Sequence, residues 1–249
     1  MINDKMSLLL IPIAPLFRTK TRLNDCFSKK QLKELTIAMF KDLGRTLKKV
    51  KCFDEKIVYC NNSEILDLAD RFNLIGIKEK LTKPRKSFEK VITDLNKIAI
   101  NQFEAKSTVF TFLDIILITV QNFKEIFNLV EKNHLVVCPA IHSAGISIFG
   151  RNPPRVISSD CFSDPNSPSF ISLLNQAKKL NIKKIAIYDS LRASFDVDIK
   201  NDLLLAQEYL KIFNLTHTET FKFLKENLKI TLKKIDVDNN RKFEFTEIN

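Results

Sequence analysis

The sequence predicts an α/β protein built on a mostly parallel sheet. Two observations carry that expectation. Runs of branched residues such as Leu8-Leu9-Leu10-Ile11 are apolar on every position, the mark of a strand buried on both faces. Segments of helical period separate these runs along almost the whole chain, which is the βα rhythm of a parallel sheet. At 249 residues the chain can bury a core that needs no disulfide or metal staple. The simplest organisation is a single domain over residues 1–249, with residues 228–249 as a carboxyl-terminal hairpin extension.

The elements follow in order. After the opening strand, Ser28 and Gln31 form a capping box, and Leu32, Leu35, Met39, Phe40, Leu43, Leu47 and Val50 recur at helical spacing. A strand over Lys56–Cys60 and a short helix over Ser63–Phe72 come next. A longer helix begins near Ser87, with Phe88, Val91, Ile92, Leu95, Ala99 and Phe103 as its apolar stripe, and leads into a buried strand at Thr108–Leu113. A helix near Val120–Glu131, strands Leu135–Cys138 and Ile146–Phe149, a helix Ser169–Leu180, a strand Lys184–Tyr188 and a helix Lys200–Phe213 complete the series. No internal repeat and no low-complexity linker interrupts it.

Composition narrows the function. A net charge of +11, from 40 Lys and Arg against 29 Asp and Glu, favours phosphorylated ligands, nucleic acid or an anionic surface without choosing among them. The five cysteines show neither a CxxC pair nor metal-ligand spacing, and read as reduced cytosolic thiols. Lys5 and the run Leu8–Phe17 have the outline of a signal peptide, but two prolines break the run and no small-residue cleavage site follows. No segment approaches the roughly 20 apolar residues of a membrane span. A cytoplasmic location is therefore expected. With glycine only at positions 44, 76, 145 and 150, neither a P-loop nor GxGxxG can be built. Any phosphate must be held by side chains, ordinary loop amides or a metal.

Candidate chemistry gathers at the carboxyl ends of the expected strands, where open α/β sheets bind ligands. Arg18, Lys20 and Arg22 alternate immediately after the first strand, and they suit phosphate or, more blandly, a solvated basic loop. Asp114 follows the run Val109–Leu113, and Asp196-Val197-Asp198 precedes the helix at Lys200. Two aspartates from different strand ends suit Mg²⁺ completed by substrate phosphate oxygens, although a lone aspartate after a strand is more often a cap or turn former.

Taken together these motifs resemble the 2-phospho-L-lactate guanylyltransferase (CofC) family of deazaflavin (F-420) coenzyme biosynthesis, MobA-like nucleotidyltransferases. Ile11-Pro12-Ile13-Ala14-Pro15-Leu16 through Lys20-Thr21-Arg22-Leu23 resembles the family's I-P-V-K-P-L-x-x-x-K-[ST]-R-L. Phe112-Leu113-Asp114-Ile115-Ile116-Leu117 stands for P-A-D-[IL]-P-L, Tyr188-Asp189-Ser190 for Y-D-S, and Asp196-Val197-Asp198 through Leu203 for D-[IV]-[DN]-T-P-E-D-L. The resemblance implies a three-layer α/β/α fold of the nucleotide-diphospho-sugar transferase kind, with a mostly parallel mixed sheet. It assigns Lys20 and Arg22 to catalysis and triphosphate binding, and Asp114, Asp198 and neighbouring Asp196 to Mg²⁺. It places Ser87 and Glu89 near the nucleotide base, and Gly145 and Ser169 near the acceptor. The implied reaction is attack of a substrate phosphate on the α-phosphorus of GTP with release of pyrophosphate. GTP and a small phosphorylated acid are the implied partners, with a homodimer through the hairpin as an option.

Several positions depart from the family. Ala14 replaces the first-loop lysine, Ser87-Phe88-Glu89 replaces G-L-N, and Ser143-Ala144-Gly145-Ile146 replaces G-G-T-N. Only Ser169-Phe170 remains of G-P-x-S-F, and both prolines of P-A-D-[IL]-P are gone. A catalytically degenerate homologue that binds nucleotide or a partner is thus a second reading. A nucleic-acid-binding protein, motivated by charge alone, is the third and least favoured. Near the end, Asp236–Glu247 fits an EF-hand loop at its oxygen positions, but Arg241 stands where that loop needs glycine. The same segment reads better as a hairpin around an Asp238-Asn239-Asn240-Arg241 turn. His134, His142 and His217 are too scattered for a metal cluster.

Overall fold

Strand β1 (Ser7–Pro12) is buried at all six residues and pairs in parallel with β2 (Glu55–Cys60) on one side and β4 (Ser107–Thr111) on the other. With both edges hydrogen-bonded and both faces covered, Leu8–Pro12 are uniformly apolar, and the one polar residue, Ser7, pairs its hydroxyl with that of Ser107 at 2.7 Å. The computed structural model describes residues 6–142, 144–237 and 240–247, with the backbone alone for Arg18 and from residue 231 onward. Strand β3 (Ile75–Lys78) extends the sheet beyond β2. Beyond β4 come β6 (Ile146–Arg151), β5 (Leu135–Pro139) and β7 (Ile185–Ile187), giving the order β3-β2-β1-β4-β6-β5-β7.

Only β6 runs against the rest, antiparallel to both β4 and β5. Its connection to β5 is a short loop with no helix in it, which suffices for an antiparallel neighbour but not for a parallel crossover. The other connections carry α2 (Ser63–Arg71), α3 (Phe88–Phe103), α4 (Val120–Lys132) and α5 (Ser169–Lys179), and the architecture is three-layer α/β/α.

The contacts cluster into two compact units: Met1–Pro15 with Leu43–Asp196, and Leu16–Asp42 with Val197–Asn249. The first unit holds the seven-stranded sheet and a core that includes Leu8, Leu10, Ile92, Leu95, Phe110, Val137 and Phe149. Burying each such side chain contributes about 1.5–3 kcal/mol. Helix α1 (Lys29–Lys49) divides between the units at Asp42. Its capping box forms as expected: Ser28 N donates to Gln31 Oε1 at 3.0 Å, and Gln31 N donates to Ser28 Oγ at 3.3 Å. All seven apolar positions of its stripe are buried.

The second unit contains α7 (Lys200–Ile212), α8 (Glu219–Asn227) and the hairpin of β8 (Ile230–Val237) with β9 (Asn240–Glu247). Asp42 anchors α8 by accepting from Glu219 N at 3.0 Å and Thr220 N at 2.8 Å, a carboxylate at the positive end of a helix. The hairpin forms, with Val237 paired to Asn240. Asp238 and Asn239, which belong to the expected turn, lie outside the described residues.

Other departures have local causes. Strand β3, helix α8 and the single turn α6 (Leu191–Ser194) are absent from the sequence reading because each is short, with few periodic positions to read. Phe88 begins α3 but is 47% exposed, so the apolar stripe starts at Val91. The five cysteines are all free thiols. Among the described residues, no helix is long and apolar enough to cross a membrane.

Candidate functional site

In the second unit the loop after β1 tightens into a 3-10 turn, Thr21–Leu23, preceded by Lys20 in the left-handed region at φ 50°, ψ 39°. A non-glycine residue held there carries strain of about 1–2 kcal/mol, and such strain concentrates where position matters. The Lys20 side chain is only 9% exposed and donates to Val197 O at 2.6 Å and Asp198 Oδ1 at 3.0 Å. Arg22, 69% exposed, reaches the other oxygen, Asp198 Oδ2, at 3.3 Å. Asp198 is aimed by Asp202, 1% exposed, whose Oδ2 accepts from the backbone N–H groups of Asp198 and Ile199 at 2.8 Å each. Three residues assigned from sequence, Lys20, Arg22 and Asp198, therefore meet across more than 170 positions of chain. Of Arg18 only the backbone is described.

In the first unit, Asp114 follows β4 beyond Phe112 and Leu113 and is half-buried, and Asp196 is buried. Ser87 caps α3, its Oγ accepting from Lys90 N at 3.1 Å and donating to Glu89 Oε2 at 3.4 Å. Glu89 also accepts from Thr93 Oγ1 at 3.0 Å, so both residues assigned to the base have partners in the first turns of the helix. Phe88 packs edge-on against Phe162 at 5.2 Å and, tilted, against Phe112 at 5.5 Å. In the β5–β6 loop Ala144 takes φ 48°, and its carbonyl accepts from Phe170 N at 3.1 Å. That bond joins the loop of Gly145 to the start of α5, where Ser169 lies. Gly145 itself does not use the left-handed region; Ala144, standing at a family glycine, does.

Sequence reasoning missed a second cluster of charge in the first unit. It lies at the carboxyl ends of β2 and β3 and at the start of α3. Asp94 takes both Lys86 at 2.9 Å and Lys90 at 2.8 Å. Lys86 also lies 3.5 Å from the Tyr59 hydroxyl and 6.0 Å from the centre of its ring. Burial opposes the Lys86 charge most strongly of any single effect, but the hydrogen bonds and charges of Asp94 and Tyr59 together outweigh it and raise the ammonium pKa. Glu79, 5% exposed, joins the β2 end through its backbone: its N–H donates to Cys60 O at 2.8 Å, and its carbonyl accepts from Asn61 Nδ2 at 2.9 Å. Its carboxylate makes no hydrogen bond or ion pair among the described residues, and burial pushes its pKa up, against the pull of Lys86 and Arg85. The one signal in the sequence is an acid directly after the alternation Ile75-Gly76-Ile77-Lys78.

The donors assigned to Mg²⁺ are all carboxylates, the hard oxygen chemistry that this ion takes one or two at a time alongside substrate phosphates. Among the described residues no group of three or more His, Cys, Asp or Glu is placed to hold a metal. The chemistry of the donors fits. Both oxygens of Asp198 face cations of the chain in this structure.

The profile of a family described as "Guanylyl transferase CofC like" matches residues 7–242. The chain is 27% identical to the 2-phospho-L-lactate guanylyltransferase of Methanocaldococcus jannaschii over 78% of this chain and 79% of that one. For the Methanocaldococcus vulcanius enzyme of the same name, the identity is 26% over 79% of this chain and 82% of that one. Among solved structures, a protein described as a nucleotide-diphospho-sugar transferase from Desulfovibrio desulfuricans superposes with a TM-score of 0.71 at 13% identity, covering 90% of this chain and 95% of its own. A nucleotidyl transferase from Methanothermobacter does so with 0.58 at 10% identity, covering 84% and 99%.

Proposed function

Since the chain belongs to the CofC-like guanylyl transferase family, we propose that it transfers the guanylyl group of GTP to a small phosphorylated acid. The acceptor would be 2-phospho-L-lactate or phosphoenolpyruvate, on the route to the deazaflavin coenzyme F-420. An oxygen of the acceptor phosphate attacks the α-phosphorus, the bond from that phosphorus to the bridging oxygen of the β-phosphate breaks, and pyrophosphate leaves with the electron pair. The observation that carries this reading is the constrained, largely buried Lys20 beside exposed Arg22, both held on Asp198. Fixed positive groups of this kind suit the charge that grows on departing pyrophosphate, because they need no reorganisation at the moment of reaction. Lys20 is the buried element, and Arg22 the exposed one that water screens.

The carboxylates assigned to Mg²⁺ are Asp198 in the second unit and, in the first, Asp114 and Asp196; a bound ion would align and polarise the phosphates. Lys20 and Arg22, which Asp198 holds in place, would be the cations for the triphosphate. The Ala144–Gly145 loop, tied to Phe170, and Ser169 are assigned to the acceptor. Pyrophosphate release from GTP, Mg²⁺ and each of the two acceptors tests the proposal. Release with either acceptor supports it; tight GTP binding with no release in either case turns the protein into a nucleotide binder.

A further inference from the structure

In the first turn of α4, Asn122 is 7% exposed and has every hydrogen-bonding position of its amide filled. Its Oδ1 accepts from Thr119 N at 2.9 Å and from Thr119 Oγ1 at 2.7 Å. Its Nδ2 donates to Tyr188 Oη at 2.8 Å and to Ser190 Oγ at 3.2 Å. Tyr188 gives its own proton to Glu125 Oε2 at 2.5 Å, and that bond holds the Glu125 carboxyl below its ordinary value. The directions are thereby fixed, because a hydroxyl that has given its proton can only accept from Asn122. The amide joins two segments of the first unit. Thr119 closes the one that begins at Asp114, and Tyr188 and Ser190 open the one that ends at Asp196. Further bonds support the same junction: Arg192 Nη1 donates to Leu117 O at 3.3 Å, and Tyr188 N to Val137 O at 2.8 Å. Near Asp196, Ser194 O accepts from Ile141 N at 2.9 Å, and Ser194 Oγ lies 3.2 Å from Cys138 Sγ.

We propose that Asn122 is a positioning residue for the metal: it braces the Asp114 segment against the Asp196 segment, so that both carboxylates of the first unit are held ready for one divalent cation. This rests on the nucleotidyl-transfer reading above. The chemistry of the ion makes such a brace useful. Mg²⁺ demands near-ideal octahedral geometry, so its ligands have little room to wander. Two loops free to move would each lose conformational entropy when the ion binds, whereas loops already tied lose less. A neutral amide suits the task, because it links the segments without adding charge beside the carboxylates, and a fully satisfied buried network is rigid. Residues that orient metal ligands in this way without touching the ion set much of a site's affinity. Asn122 acts through the backbone segments that carry Asp114 and Asp196, and it is separate from the grip of Lys20 and Arg22.

Calorimetric titration of the full chain with GTP, once with Mn²⁺ and once with a chelator in place of metal, tests this. No acceptor is present, so binding is read without turnover. The unaltered protein should bind GTP more tightly with Mn²⁺ than without. The double variant Tyr188→Phe, Ser190→Ala keeps Asn122 and its cap but removes both acceptors of the amide. Its affinity with Mn²⁺ should fall by about tenfold or more, while its affinity without metal stays that of the unaltered protein. Thr119→Ala does the reverse, removing the cap hydroxyl and leaving the amide on Tyr188 and Ser190. It should lower the thermal unfolding midpoint and leave the Mn²⁺ effect intact. A double variant that keeps the full Mn²⁺ effect overturns the inference, and so does one that loses metal-free binding equally, which is general damage. A Thr119→Ala protein that loses the Mn²⁺ effect as far as the double variant does overturns it too, as does an unaltered protein indifferent to Mn²⁺. Pyrophosphate release by the unaltered protein leaves the transfer reading standing in each of these cases. Failure to bind GTP under either condition fells that reading, and this inference with it.

Discussion

The two charge clusters of this protein differ in how their charges are matched. In the second unit, Lys20 and Arg22 face the two oxygens of Asp198, and Asp202 holds that residue through its backbone. In the first unit, Asp94 is shared by Lys86 and Lys90, and the Glu79 carboxylate makes no hydrogen bond or ion pair among the described residues. The grip proposed for the triphosphate would have to exchange partners on binding it; the Glu79 carboxylate has no protein partner to exchange.

Four substitutions would break or sharpen this contrast. Lys20→Ala should have the largest effect, lowering kcat for pyrophosphate release by about a hundredfold, as removing one fixed donor to a developing anion does elsewhere. A turnover within a few-fold of the unaltered protein would detach Lys20 from the chemistry. Asp202→Ala comes next. It leaves two backbone donors without their acceptor in a buried setting and should cost about 1–3 kcal/mol in urea denaturation.

Glu79→Gln should act on the pH dependence of stability. Burial raises the Glu79 pKa in the folded chain, so the folded state holds this proton more tightly than the unfolded state does. The corresponding stability is present below the unfolded value near 4.5 and is lost as pH rises through the folded value. The glutamine variant removes that loss, so its unfolding midpoint should gain on the unaltered protein as pH climbs from 4 to 7. Lys86, Arg85 and Asp94 are the charged groups facing this site, and they remain in both proteins. A parallel pair of curves would mean that burial does not raise the Glu79 pKa. The smallest change is expected of Ala144→Gly, which relieves a left-handed alanine at φ 48° and should stabilise by about 0.5–1 kcal/mol.

Much of the fold was legible because local patterns and burial agree. The run Leu8–Ile11 announced a strand covered on both faces, and Ser28 with Gln31 announced the start of α1. Four-residue β3 and the nine residues of α8 were not legible, since so short a span holds too few apolar positions to fix a period. Within the site, Lys20, Arg22 and Asp198 were found through motifs, and the structure joins them. Ser87 and Glu89, also found that way, are engaged as cap and first-turn partners of α3. Glu79 and Lys86 were invisible as a cluster, because an acid after a strand and a lysine before a helix are ordinary until their neighbours are known.

By itself, the sequence determined what depends on residues a few positions apart: strand and helix propensity, the capping box of α1, the absence of a glycine-rich phosphate loop, and the family motifs. Tertiary structure alone decided which strand neighbours which, with β6 set antiparallel between β4 and β5. It also decided which charges are paired. Lys20 finds Asp198 through contacts formed between distant segments, and the Glu79 carboxylate makes no hydrogen bond or ion pair among the described residues although the chain carries 40 lysines and arginines. The reason is physical. A charge is neutralised by what lies within a few ångströms, and its cost is set by how much water remains around it. Neither is a property of the order of residues along the chain.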